Sequence, residues 1–123
     1  MNLNQITVPV SNLGQSIVFY QNLGLNLIVK SPHYARFECP TGGSTFSLHQ
    51  IEIVNNNTGT WIYFEVENVD EKVQKLSTMG FVFEEMPNDK DWLWREARLK
   101  DSDNNQLIIY TAGENRINPP WRI

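Results

Sequence analysis

Gln5-Ile6-Thr7-Val8-Pro9-Val10-Ser11-Asn12-Leu13 is answered further along the chain by Trp61-Ile62-Tyr63-Phe64-Glu65-Val66-Glu67-Asn68-Val69. In both stretches Ile, a large apolar residue and Val fall on alternate positions, the period of a half-buried strand. Each reaches an asparagine, Asn12 or Asn68, suited to capping a helix. Leu13, Ile17 and Tyr20 then recur at helical spacing, as do Val69, Val73 and Leu76, so each helix carries one apolar stripe. Gly24 and Gly80 supply the left-handed stop. Leu25-Asn26-Leu27-Ile28-Val29 and Phe81-Val82-Phe83 read as the next strands.

Each half is expected to finish with a hairpin. Tyr34 to Cys39 turns through Pro40-Thr41-Gly42-Gly43 into Thr45 to Gln50. Trp94 to Lys100 turns through Asp101-Ser102-Asp103-Asn104-Asn105 into Gln106 to Tyr110. The expectation is one α+β domain over 1–123, built of two tandem βαβββ units over about 3–53 and 60–112. Asn55-Asn56-Asn57-Thr58-Gly59 is the linker and 113–123 a tail.

Composition bounds the function. The 123 residues are 41% hydrophobic and 20% charged, ordinary for a globular domain. A net charge of −4 without any Lys/Arg run argues against a nucleic-acid partner. No apolar run reaches a membrane span and the N-terminus lacks a signal core, so a cytoplasmic protein without membrane attachment is expected. The lone Cys39 fits a reducing compartment.

Sheet register follows from keeping apolar residues on one face. Phe37 must oppose Phe46, and Ala35 must oppose Leu48. The other face then pairs Tyr34 with His49, Arg36 with Ser47 and Glu38 with Thr45. In the second hairpin Leu99 opposes Leu107 and Ala97 opposes Ile109, leaving Glu96 opposite Tyr110 and Arg98 opposite Ile108. Ile6, Val8 and Val10 pack on a helix, as do Ile62, Phe64 and Val66. The faces turned away from the helices therefore supply Arg36, Glu38, His49, Trp61, Tyr63, Glu65, Glu96, Arg98 and Tyr110. Aromatics with a few convergent charges suit a small-ligand pocket, and equally a solvated outer sheet face.

The duplicated pattern over residues 3–112 resembles the glyoxalase/bleomycin-resistance/extradiol-dioxygenase (vicinal oxygen chelate) superfamily. Gln5 to Leu13, followed by Ser16-Ile17-Val18-Phe19-Tyr20 and Leu23-Gly24-Leu25, is similar to its N-terminal signature. Asp101-Ser102-Asp103-Asn104-Asn105 is similar to its Asp-Pro-Asp-Gly-Asn turn. The resemblance implies a cupped mixed sheet with helices on the outer face, a site inside the cup, and a homodimer. It also implies metal ligands, usually His and Glu, on the first and last strands of each unit. The matching positions here are Gln5, Ser47, Trp61 and Ile108. Gln and Ser are poor ligands for a catalytic divalent metal, and Trp and Ile cannot ligate, so no cofactor is expected.

Arg36 and Arg98 lie across from Ser47 and Ile108, where they would supply fixed positive charge. The expected function is metal-free binding of a small anionic or polar aromatic molecule, held by Arg36 and Arg98 and stacked on Trp61 or Tyr63. Internal ion pairs are the competing reading: Arg36 with Glu38 or Glu96, and Arg98 with Glu65. The alternative function is an enzyme: a lyase, isomerase or dioxygenase with relocated metal ligands, or metal-free acid–base chemistry by His49 with Glu96 or Glu38. Ser47 lacks the context of a hydrolytic nucleophile, and Cys39 reads as an inert thiol. Pro87 to Trp94 reads as a loop, either a lid or one that plugs the core with Trp92. The tail is expected to pack across the domain or onto a second subunit.

Overall fold

The computed structural model describes residues 1–52 and 60–123, so the expected linker Asn55 to Gly59 lies outside the described residues. The first half runs β1 (Gln5–Val10), α1 (Leu13–Leu23), β2 (Asn26–Lys30), β3 (Tyr34–Glu38) and β4 (Thr45–Gln50). The second runs β5 (Trp61–Glu65), α2 (Val69–Thr78), β6 (Glu85–Asp89), β7 (Arg95–Lys100), β8 (Gln106–Thr111) and a 3-10 turn (Gly113–Arg116). The described residues divide into two units. The first holds the chain through Glu52 together with Asp101–Asn104, and the second holds the rest.

Both helices start and stop by the same chemistry. The side chain of Asn12 accepts from the Gln15 amide at 3.0 Å, and that of Asn68 from the Glu71 amide at 3.0 Å. At the other end, Gly24 (φ 121°) and Gly80 (φ 100°) take the left-handed turn. The next residues, Leu25 and Phe81, donate back to the Tyr20 and Leu76 carbonyls at 3.0 and 3.1 Å, closing Schellman caps. The stripes Leu13, Ile17, Tyr20 and Val69, Val73, Leu76 are all buried.

Each unit has a four-stranded sheet, ordered β1-β4-β3-β2 and β5-β8-β7-β6. The first and last strands pair in parallel (β1 with β4, β5 with β8), and the remaining pairs are antiparallel. Both hairpins take the register that the apolar pattern demands: Phe37 on Phe46 and Ala35 on Leu48, Leu99 on Leu107 and Ala97 on Ile109.

In the first unit Tyr20 anchors the core, with Phe46 and Phe37 at 4.7 and 6.1 Å between ring centroids. Its hydroxyl donates to Asp101 Oδ2 at 2.6 Å, and burial pushes that phenol far above its ordinary range. Asp103 Oδ1 accepts from the Ser11 amide and hydroxyl at 3.1 and 2.6 Å. Asn104 takes a left-handed φ of 63°, the role a glycine would otherwise fill in that turn.

Two assignments need correction: the strand over Phe81 to Phe83, and the start of the loop over Pro87 to Trp94, which lies in β6. Phe81 to Phe83 is not a strand, because the Phe81 amide is still committed to the helix cap. The sheet edge is taken instead by Glu85-Met86-Pro87-Asn88-Asp89, whose sequence has little strand propensity; pairing to β7 overrides it. Pro87 is tolerated because β6 is an edge strand with a register irregularity between Glu85 and Asn88. Ile6, expected against a helix, is 36% exposed at the start of β1, while Val8 and Val10 are buried.

Candidate functional site

Side-chain alternation puts Gln5 and Thr7 of β1, Tyr34, Arg36 and Glu38 of β3, and Thr45, Ser47 and His49 of β4 on the sheet face turned away from α1. Four of these form one chain of hydrogen bonds. Gln5 Nε2 donates to Ser47 Oγ at 2.8 Å, Ser47 Oγ meets Tyr34 Oη at 2.7 Å, and Arg36 Nε donates to Tyr34 Oη at 3.0 Å. Thr45 Oγ1 donates to Gln5 Oε1 and fixes the amide. Ser47 is completely buried beneath Tyr34. Hydrogen bonding from Ser47, and then from Arg36, holds the Tyr34 phenol below its ordinary range.

Arg36 also lies over the Tyr34 ring at 5.5 Å, and no carboxylate among the described residues of its unit pairs with it. The expected ion pair with Glu38 is therefore absent: the guanidinium folds back on Tyr34 instead. Glu38 and His49 are both exposed. Glu38 sits opposite Thr45 and His49 opposite Tyr34, four residues apart along the hairpin. That separation of roughly 13 Å rules out a hydrogen-bonded His49–Glu38 pair.

The second unit is organised differently. Glu96 is fully buried, its Oε1 accepting from the Trp92 indole at 2.9 Å and its Oε2 from Arg98 Nη2 at 3.1 Å. Arg98 Nε stands 3.6 Å from Glu85 Oε2 without a hydrogen-bond partner, and the guanidinium lies 4.9 Å over the Trp61 ring. Lys90 pairs with Glu85, which also accepts from Asn88 Nδ2 at 2.7 Å. These donors, Lys90 foremost, hold the Glu85 carboxyl below the usual range. The partners of Arg98 are thus Glu96 and Glu85, not the expected Glu65, which pairs across to Tyr110 two positions along from the Tyr63–Ile108–Arg98 row.

Aromatic rings fill the rest of this face. Trp94 stacks on Tyr110 at 4.8 Å, and Tyr63 meets both edge-on at 5.8 and 5.3 Å. Burial pushes the Tyr63 and Tyr110 phenols up. Trp61 and Tyr63 remain 50% and 39% exposed, enough surface for a planar ligand. Trp92 is 40% exposed with its indole held by Glu96, so it does not plug a core. A cleft of about 490 Å³ opens beside this face, lined by Lys90, Trp94, Arg95 and Asn115 among others. Beyond the 3-10 turn the tail leaves Ile117 and Trp121 more than half exposed, so it does not bury them across the domain.

Of the residues singled out from sequence, the first unit brings together Gln5, Ser47 and Arg36, and the second brings together Trp61, Glu96 and Arg98 as well as Tyr63 with Tyr110. His49 and Glu96 belong to different units. Sequence reasoning passed over Tyr34 as a site residue, although its parity with Arg36 already put it on that face. Glu85, Asn88 and Lys90 were missed because β6 was placed too early.

The positions where the superfamily implies metal ligands do not fit a divalent cation. Gln5 and Ser47 are satisfied by each other and by Tyr34, while Trp61 and the buried Ile108 offer no donor atom. Among the described residues no group of three or more His, Cys, Asp or Glu is placed to hold a metal, and no helix is long and apolar enough to cross a membrane.

Several known proteins are similar to this chain. The family model described as Glyoxalase/Bleomycin resistance protein/Dioxygenase superfamily matches residues 2–109. The uncharacterized protein YraH of Bacillus subtilis (strain 168) is 30% identical, over 89% of this chain and 98% of its own length. The trivalent organoarsenical cleaving enzyme of Bacillus sp. (strain MD1) is 28% identical, over 98% of this chain and 81% of its own. A bleomycin resistance determinant encoded on the transposon Tn5 shares the fold, with a TM-score of 0.78 at 12% identity over 92% of this chain and 99% of that one.

Proposed function

We propose that this chain, which belongs to the Glyoxalase/Bleomycin resistance protein/Dioxygenase superfamily, binds a small anionic or polar aromatic molecule without a metal. The observation that carries this reading is the donor set at the four family ligand positions: two side chains bound to each other and two with nothing to offer a cation. The half-exposed Trp61 and Tyr63 support a planar aromatic ligand, and Arg36 supports an anionic one. Within this reading the protein is a single cytoplasmic domain that works as a homodimer.

The test is tryptophan fluorescence of the full chain against a panel of small aromatic carboxylates, phenols and uncharged aromatics. Stoichiometric quenching, weakened by Trp61→Phe and with the ligand recovered unchanged, is the expected result. Conversion of the ligand would make the protein an enzyme, and silence across the panel would leave the faces without a binding role.

A second reading, an enzyme, draws on the likeness to the organoarsenical cleaving enzyme. Trivalent arsenic is a soft centre that calls for thiolates. This chain has one cysteine, the half-buried Cys39, whose thiol burial pushes up. That is a poor match to a trivalent arsenical, and incubation with phenylarsonous acid is expected to release no inorganic arsenic. Metal-free acid–base chemistry would fall on His49 or Glu96, and both Glu96 oxygens are already engaged.

A further inference from the structure

The hydrogen bonds around Tyr34 have a direction. The Ile6 carbonyl accepts from Gln5 Nε2 at 3.0 Å, and Gln5 Oε1 accepts from Thr45, so the amide nitrogen is the atom that faces Ser47. Ser47 Oγ therefore accepts from Gln5; either hydroxyl can donate in its 2.7 Å contact with Tyr34 Oη. Arg36 Nε donates to the same oxygen. When Ser47 is the donor, both lone pairs of the Tyr34 oxygen are taken and its own O–H is left pointing away from the network, with no acceptor among the described residues of the unit. Bound through Nε, the Arg36 guanidinium is held in place while its two Nη groups have no acceptor there.

From this arrangement we propose that Tyr34 and Arg36 form a cradle for a small carboxylate, the Tyr34 hydroxyl donating to one carboxylate oxygen and the Arg36 Nη groups to the carboxylate edge. The inference rests on the metal-free binding reading and names its anionic subsite. A planar fork beside a single O–H matches a planar oxyanion in both charge and donor count. The charged or titratable groups sharing this face of β3 and β4 are Glu38, beyond Arg36 from Tyr34, and His49, directly opposite Tyr34. The equivalent arginine of the second unit, Arg98, offers no such site because its donors face Glu96 and Glu85.

The test uses benzoate and its uncharged isostere benzamide with the full chain, following tyrosinate absorbance in the near ultraviolet as pH rises. One of the four tyrosines is expected to ionise before the rest, and Tyr34→Phe to remove that step. A carboxylate bound to the protonated phenol must raise the pH of the step, so benzoate moves it upward and benzamide does not. Arg36→Gln, which keeps the fold without the charge, is expected to weaken the benzoate response about tenfold. A step that benzoate leaves unmoved, or moves equally in Arg36→Gln, overturns the cradle. If benzamide still quenches tryptophan in that case, the broader binding reading survives alone. A step that benzoate moves only after metal is added overturns both the cradle and the metal-free reading.

Discussion

Arg36 and Arg98 occupy matching places in the two units, each on the third strand of its sheet and each across from the strand residue that stands at a family ligand position. Their surroundings differ completely. Arg36 is held by a phenol, with its charge uncompensated among the described residues of its unit. Arg98 is locked between two carboxylates, one of them fully buried, and covers Trp61. Two neighbours make the difference: two residues earlier on the same strand stands Tyr34 in the first unit and Glu96 in the second, and the edge strands differ as well. In the first unit β2 sets Val29 beside Arg36, whereas in the second β6 sets Glu85 beside Arg98. A repeated backbone fixes where a side chain stands, and the residues around it, on its own strand and on the next, decide whether its charge is free to bind a ligand.

Removing each arginine should expose this contrast most sharply. Arg98→Met leaves the buried Glu96 without its cation and is expected to cost about 2 kcal/mol in urea unfolding, whereas Arg36→Met should cost less than about 0.5 kcal/mol. The double variant Arg98→Met/Glu96→Met should recover most of the loss. Equal costs at Arg36 and Arg98 would erase the distinction between the units. Next in size, Trp92→Phe keeps a ring but removes the indole donor to Glu96. About 1 kcal/mol is expected, read in the same denaturation experiment, with no loss if water replaces the donor without cost.

The turns extend the comparison with the opposite sign. Between β3 and β4 the left-handed positions are Gly42 and Gly43 (φ 84° and 73°) and in the matching β7–β8 turn the position is Asn104 (φ 63°), but the β6–β7 turn puts Leu93 in that region (φ 67°). Leu93→Gly should therefore stabilise, by about 0.5 kcal/mol once the added freedom of the unfolded chain is counted. A lower melting temperature for that variant would mean that the Leu93 side chain contributes packing that outweighs the strain.

The smallest effect concerns acid. Asp70 is held below its ordinary range chiefly by a hydrogen bond from Arg95, and Glu85 chiefly by one from Lys90, both in the second unit. The folded state thus binds fewer protons than the unfolded one. The resulting stability is present above the unfolded carboxylate range of about pH 4 and is lost as pH falls through the lower folded values. Replacing both by their amides should flatten the acid limb of the stability profile, and an unchanged limb would assign acid sensitivity elsewhere.

What the sequence made legible was whatever period and caps determine. Asn12 and Asn68 begin the helices, Gly24 and Gly80 end them, and the pairs Phe37–Phe46 and Leu99–Leu107 fix both hairpins. The turn at Asp101 to Asn105 was legible from its run of turn-forming residues, and its likeness to the family turn from the resemblance. β6 was not legible, because Glu-Met-Pro-Asn-Asp carries neither alternation nor propensity and exists as a strand only through β7. With β6 misplaced, the partners of Arg98 could not be found. The role of Tyr34 also escaped, since the bond from Arg36 depends on rotamers that no spacing rule predicts.

The central claim is a binding site that works without a metal, and metal analysis addresses it most directly. The untagged protein should be assayed as purified without chelator, and again after incubation with zinc, nickel, manganese and iron(II). Less than about a tenth of an equivalent throughout, with no change in melting temperature, is the predicted result. A near-stoichiometric metal that raises the melting temperature would contradict the account and turn attention to His49 and Glu38 or Glu96 as ligands.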